Sequence, residues 1–245
     1  MNFLTFIFRH LSKQFDHIHV VRDDEYEECI VMQATTFQSA MFYMLAPLYT
    51  YMEWCAQANR LKSYEEYAQL LKIYQSQTPG KRLILKAPAH TGAMSEIKRY
   101  IPDAMLIQTH RHPVDVFNSL NSLVYSAHCN VVKRLDIEKT MTCNLDFLTV
   151  EVDRNLFARK YHGIDAHDIM YEETLSDPLT VVKKFYSKSG IELSPATEAK
   201  MKAFIRENRQ HKHGHHKYSV SDFGMTEVQI IERFEEYMNL TGYRA

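Results

Sequence analysis

The sequence predicts an α/β fold, a small parallel sheet flanked by many helices. Two short apolar runs with strand character, residues 82–86 and 105–109, are separated by a helical segment and followed by a second helix. A third such run, residues 167–171, comes after a long amphipathic stretch. Strand, helix, strand, helix at this spacing requires parallel pairing through right-handed connections. The 245 residues are 45% apolar and 24% charged, enough to bury a core.

The first eighty residues read as helical. Asp23, Asp24 and Glu25 place acid at a helix start, and apolar residues recur from Cys29 through Met44. The patch 41–54 contains Tyr43, Tyr49, Tyr51 and Glu53, so it reads as a buried helix rather than a membrane span. Ser63 and Glu66 have capping-box spacing before Leu70, Leu71 and Ile73. After the first strand, Thr91 can cap a helix carrying Met94, Ile97 and Tyr100, and Pro102-Asp103 makes a turn. The second strand ends at His110-Arg-His-Pro113. Pro113 opens a helix with Val116, Phe117, Leu120, Leu123, Val124 and Ala127 on one face. Residues 136–161 form the long amphipathic stretch. Asp177-Pro178 opens a helix ended by Gly190, and Ser194-Pro195 opens one that runs to Asn208. A basic loop covers 209–219, and a last helix over 226–240 stops before Gly242. With no repeat and no linker, residues 1–245 read as a single domain. About 1–80 is its helical part, 81–190 its βαβ part, and 191–245 its C-terminal helices with their loop.

Composition excludes several functions. A formal charge of −1 argues against a nucleic-acid binder held by phosphate neutralisation. Average usage would give about 17 glycines; the chain has 7, never close enough for GxGxxG or GxxxxGK[ST]. Cys29, Cys55, Cys129 and Cys143 include no CxxC pair and read as reduced thiols. The N-terminal apolar run is only six residues long before Arg9, too short for a signal core or a span, so a cytoplasmic location is expected. HExxH and GxSxG are absent.

Ligands of open parallel sheets bind beyond the carboxyl ends of the strands. The first strand end delivers Lys86 and His90, the second His110, Arg111 and His112, the third Tyr171 and Glu172. Such cations beside a helix N-terminus suit phosphate or sulfate. The plainer alternative is an Arg111–carboxylate pair and a solvent-facing Ser119. The loop around His211, Lys212, His213, Gly214, His215, His216 and Lys217 has three readings: a solvated basic loop, a clamp over an anionic nucleotide, or a zinc site.

Four elements in order carry a resemblance. They are Leu85-Lys-Ala-Pro-Ala-His90, Ile101-Pro-Asp-Ala104 with Gln108-Thr-His-Arg-His-Pro-Val-Asp-Val-Phe-Asn-Ser119, Tyr171-Glu-Glu-Thr-Leu-Ser-Asp-Pro178, and Gly214-His-His-Lys-Tyr-Ser219 with Phe223-Gly224. Together they resemble the LKSPxH, FPDAxxxxTHRDPxxVxxS, YEDLxxDP and GxHxYsxxxFG elements of the sulfotransferase family. The resemblance implies a P-loop-kinase-like parallel sheet flanked by helices. It also implies sulfuryl transfer from 3′-phosphoadenosine 5′-phosphosulfate, the co-substrate, to a hydroxyl or amine on a small-molecule or glycan acceptor. Carried over, Arg111 and Ser119 hold the 3′-phosphate, Tyr171 lies near the adenine and Lys86 by the phosphosulfate. Lys212, Gly214, His216 and Lys217 close over the nucleotide. His90 and Lys86 are the catalytic candidates, with His110 a structural rival for His90. The family's opening strand and PxSGTT loop have no counterpart here, which reads as an N-terminally truncated member. The alternative is a non-catalytic relative that binds an anionic nucleotide or a sulfated partner.

Overall fold

The structure is a computed structural model that describes residues 28–208 and 225–244. It is a mostly helical α/β protein with a small parallel sheet, divided into two compact units. One comprises the described residues within Met1–Ala104, Pro113–Ile164 and Tyr218–Ala245; the other those within Met105–His112 and Asp165–Lys217.

The larger unit is helical. Its described helices are α1 (Ile30–Gln33), α2 (Met41–Leu45), α3 (Tyr49–Gln57), α4 (Leu61–Ser76) and α5 (Met94–Tyr100), then α6 (Pro113–Cys129), α7 (Ile137–His162), α11 (Glu227–Arg233) and α12 (Glu235–Thr241). Two short 3₁₀ helices, Ala34–Thr36 and Pro88–Ala93, precede α2 and α5. The longest helix, α7, has 26 residues, about 39 Å at 1.5 Å per residue. Asp136 caps it by accepting from the Lys139 N–H at 3.0 Å, and Gly163 ends it with φ 62°. Arg159, Lys160 and His162 in its last turn oppose the negative end of the helix dipole.

Helix α7 faces its neighbours with two kinds of side chain. Met141, Leu145 and Leu156 join Val114 and Phe117 of α6, and Ile230, Phe234, Tyr237 and Met238 from the C-terminal pair, in one apolar cluster. A second cluster gathers Ala40, Tyr43, Met52, Cys55 and Val124. Between the apolar positions α7 buries Thr140, Asn144, Glu151 and Asn155. Buried polar groups must be paired. Asn144 accepts from the Tyr43 hydroxyl at 2.8 Å and donates to Asn121 at 2.6 Å. The four cysteines are free thiols.

The smaller unit holds the sheet. Strand β1 (Ile107–His110) pairs in parallel with β2 (His167–Met170), Ile107 opposite His167 and His110 opposite Met170. Helices α8 (Tyr171–Ser176), α9 (Pro178–Ser189) and α10 (Pro195–Glu207) follow. Asp177 and Ser194 cap the last two through the N–H groups of Thr180 and Thr197, each with Pro at the first helical position. Gly190 closes α9 at φ 66°.

Several expectations are corrected. Thr91 lies inside the Pro88–Ala93 segment and caps no helix, and the patch 41–54 is two helices, α2 and α3, rather than one. Residues 82–86 form no strand among the described residues. Ile84 is 91% exposed there, so the run lacks the neighbour that would bury its apolar face. Ser63 is not a cap: α4 begins at Leu61, whose N–H is taken by Asn59 Oδ1 at 2.8 Å, and Ser63 is buried within the first turn. The last helix is broken at Phe234, where that ring enters the apolar cluster.

Candidate functional site

In the smaller unit the candidate residues sit where β1 and β2 end. His110 is 2% exposed, and its Nε2 lies 2.8 Å from Asp168 Oδ1. Its ring is committed to holding the two strands together. The next residue, Arg111, lays its guanidinium over the Tyr171 ring at 4.6 Å. Tyr171 opens α8, whose first turn is fixed by Glu173 accepting from the Met170 N–H at 3.1 Å. Stacking fixes the plane of an Arg.

In the larger unit the candidates lie on the segment that leads into the Pro88–Ala93 turn. Lys86 is 71% exposed at its side chain and pairs with Glu28. The Cys29 N–H donates to the Lys86 carbonyl at 2.9 Å, which ties this stretch to the start of α1. His90 is half-buried. Its Nδ1 is 2.9 Å from the Tyr64 hydroxyl and 3.4 Å from Gln33 Nε2, and Gln33 also donates to Tyr64 at 2.9 Å. The Tyr67 ring lies 5.5 Å from the imidazole. Burial draws His90 down to about 4, so the ring is neutral at pH 7 and has a lone pair for a proton.

The turn that bears His90 is strapped to α7. Glu151 Oε2 accepts from the Gly92 N–H at 3.0 Å, Arg154 donates to the Gly92 carbonyl at 3.1 Å, and Asn155 donates to the Thr91 carbonyl at 3.0 Å. Arg60 neutralises Glu151 in a two-pronged buried pair, one prong 3.0 Å long. Arg154 also reaches Glu96 at 2.9 Å.

The structure thus brings Arg111 to Tyr171 in one unit and places Lys86 and His90 on one short segment of the other. Ser119 is exposed on α6, eight residues after Arg111. Lys212, Gly214, His216 and Lys217, and the His211, His213, His215 and His216 set, lie outside the described residues. Sequence reasoning missed Glu28, Gln33, Tyr64 and the Arg60–Glu151 pair. The only local signal was Gly92, two residues past His90, where a side chain would collide with α7. A cavity of about 530 Å³ lies along α3 and α7, lined among others by Met52, Glu53, Lys139, Cys143 and Asp146. No helix among the described residues is long and apolar enough to cross a membrane.

A model of the sulfotransferase family matches residues 5–195. The fold is that of two solved sulfotransferases. STF9 from Mycobacterium avium is 25% identical with a TM-score of 0.80, covering 89% of this chain and 57% of its own. STF1 from Mycobacterium tuberculosis H37Rv is 25% identical with a TM-score of 0.75, covering 88% and 56%. The chain therefore spans a little over half the length of these solved proteins. No curated protein gives a significant match. The family model covers most of the sequence, and the two solved structures share its fold; the chain belongs to the sulfotransferase family.

Proposed function

We propose that the protein transfers a sulfuryl group from 3′-phosphoadenosine 5′-phosphosulfate to the hydroxyl or amine of a small-molecule or glycan acceptor. The observation that carries this reading is Arg111 stacked on Tyr171 at the end of the paired strands. A guanidinium held in a fixed plane matches the two-pronged geometry of a phosphate. That arrangement fits the donor's 3′-phosphate, and Tyr171 has a second use as a surface beside the adenine. The family's motifs add Ser119, Lys212, Gly214, His216 and Lys217 to the donor-binding residues.

Lys86 answers the charge that develops on the bridging oxygen as the sulfur–oxygen bond to the 5′-phosphate breaks. Its ammonium already donates to a carboxylate oxygen, that of Glu28. His90 takes the acceptor's proton while the acceptor oxygen or nitrogen bonds to sulfur. The neutral imidazole is the competent form, and burial keeps it neutral. The chain's contribution is positioning and charge, as in phosphoryl transfer.

Two measurements test this. Titration calorimetry with 3′-phosphoadenosine 5′-phosphate should show binding that Arg111→Ala loses. Labelled-donor assays over hydroxyl and amine acceptors should show transfer. Absence of both binding at millimolar nucleotide and transfer to every acceptor would reject the proposal.

A further inference from the structure

We propose that Tyr64 is the positioning residue that sets the proton arrangement of the His90 ring. The inference rests on His90 acting as the base. A phenol hydroxyl has one proton to give and two lone pairs to receive with. Around Tyr64 Oη stand one donor, Gln33 Nε2 at 2.9 Å; one acceptor, the Ala89 carbonyl at 3.4 Å; and His90 Nδ1 at 2.9 Å, which can be either.

Two arrangements satisfy these contacts. Tyr64 can donate to Nδ1, which leaves the ring proton on Nε2. Alternatively, Nδ1–H donates to Tyr64 Oη while the phenol proton turns to Ala89, which leaves Nε2 with its lone pair. Only the second gives Nε2 the form that accepts a proton. It is also the arrangement the ring needs once Nε2 has been protonated, because the imidazolium has two N–H donors. Gln33 Nε2, a donor 3.4 Å from Nδ1, cannot receive the second one. Tyr64 is therefore the group that receives the Nδ1 proton, and Ala89 the group that frees Tyr64 to do so.

The surroundings leave this task to the hydroxyl. Burial is what lowers the His90 ring. The groups packed around it are Tyr64 and Tyr67 of α4, with Cys29 beside Tyr67. The charges felt at Tyr64 are those of Arg60, Glu151 of α7 and Glu96 of α5. Arg60 and Glu151 are bound to each other, and Glu96 is bound to Arg154.

Nitrogen-15 NMR of the His90 imidazole, recorded across pH, tests the assignment beside steady-state kinetics. Tyr64→Phe keeps the ring packing and removes the oxygen. It should drive His90 to the Nε2–H form at pH 7, move the acidic limb of kcat/KM to lower pH, and cut kcat about 10- to 100-fold with KM little changed. Gln33→Met removes the competing donor and should move the His90 titration the other way, to higher pH. This opposite shift keeps the inference testable if Tyr64→Phe folds poorly. His90 signals and titration unchanged in both variants, with His90→Gln inactive, would overturn the role of Tyr64 alone. Undiminished turnover by His90→Gln would instead overturn His90 as the base, and the positioning role with it.

Discussion

Gly92 rests against Glu151 with no room for a side chain. A Cβ built on Gly92 would lie 2.7 Å from Glu151 Oε2 and 3.1 Å from the Glu151 Cα. The carboxylate could swing away, but the α7 backbone could not, and the carboxylate is already pinned by Arg60. Gly92→Ala should therefore cost about 1–3 kcal/mol, the range for overpacking a tight interior. Urea unfolding would measure it. A loss below half a kcal/mol would show that the turn carrying His90 is free to shift.

Arg60 and Glu151 are both buried, and a buried charge deprived of its partner is costly. Glu151→Ala should destabilise the protein by about 3–5 kcal/mol. Replacing both at once, Arg60→Met with Glu151→Leu, should recover most of that loss, because an apolar pair needs no compensation. The comparison of single and double variants by denaturant melting checks it. A double variant no better than Glu151→Ala would indicate that the Gly92 N–H, not Arg60, is the group that needs the carboxylate.

His90 links stability to acidity. Its folded value of about 4 lies below the ordinary 6.5, so the unfolded chain binds the proton more readily. The linked stability is complete above pH 6.5 and is lost as pH falls towards 4. A shift of that size corresponds to about 3 kcal/mol. Wild type and His90→Gln, unfolded in urea at pH 7 and pH 4.5, should differ in their pH dependence by a substantial part of it. Parallel curves would count against the buried neutral ring.

Lys86 and Glu28 make a contrasting pair. The lysine is mostly in water, so the pair adds at most about 1 kcal/mol. Lys86→Met should leave the melting midpoint almost unchanged while removing sulfuryl transfer. A large stability loss would mark Lys86 as structural rather than chemical.

Arg111→Lys tests the stacked guanidinium. Lysine keeps the charge but has neither the plane nor the paired donors. Nucleotide affinity should drop about 10-fold or more, with Arg111→Ala weaker still. Calorimetry on the three proteins would read this, and equal affinity of the lysine variant would mean that charge alone suffices.

Local chemistry made much of the fold legible. Asp136, Asp177-Pro178, Ser194-Pro195 and Thr226 begin helices where their side chains satisfy the first N–H groups, and Gly163, Gly190 and Gly242 end helices with positive φ. The β1 and β2 runs were readable because both feed a parallel ladder. Residues 82–86 misled because a short apolar run reports a preference, not a partner. On the chemical side, Arg111, Tyr171, Lys86 and His90 were visible as residues at segment ends. Their supports were not: Gln33 is 57 positions from His90, and Arg60 is 91 from Glu151. Contacts that distant leave no periodicity in a single sequence.

The three side chains that hold the His90 turn, Glu151, Arg154 and Asn155, are spaced i, i+3 and i+4 along α7. They therefore share one line on the helix surface. Inserting a single residue between Asp136 and Glu151 would turn that line by about 100°, whereas seven residues would return it to within about 20° of its original bearing. The placement of His90 thus depends on the rotational phase of α7, and length changes in this helix are tolerable in steps of two turns rather than residue by residue.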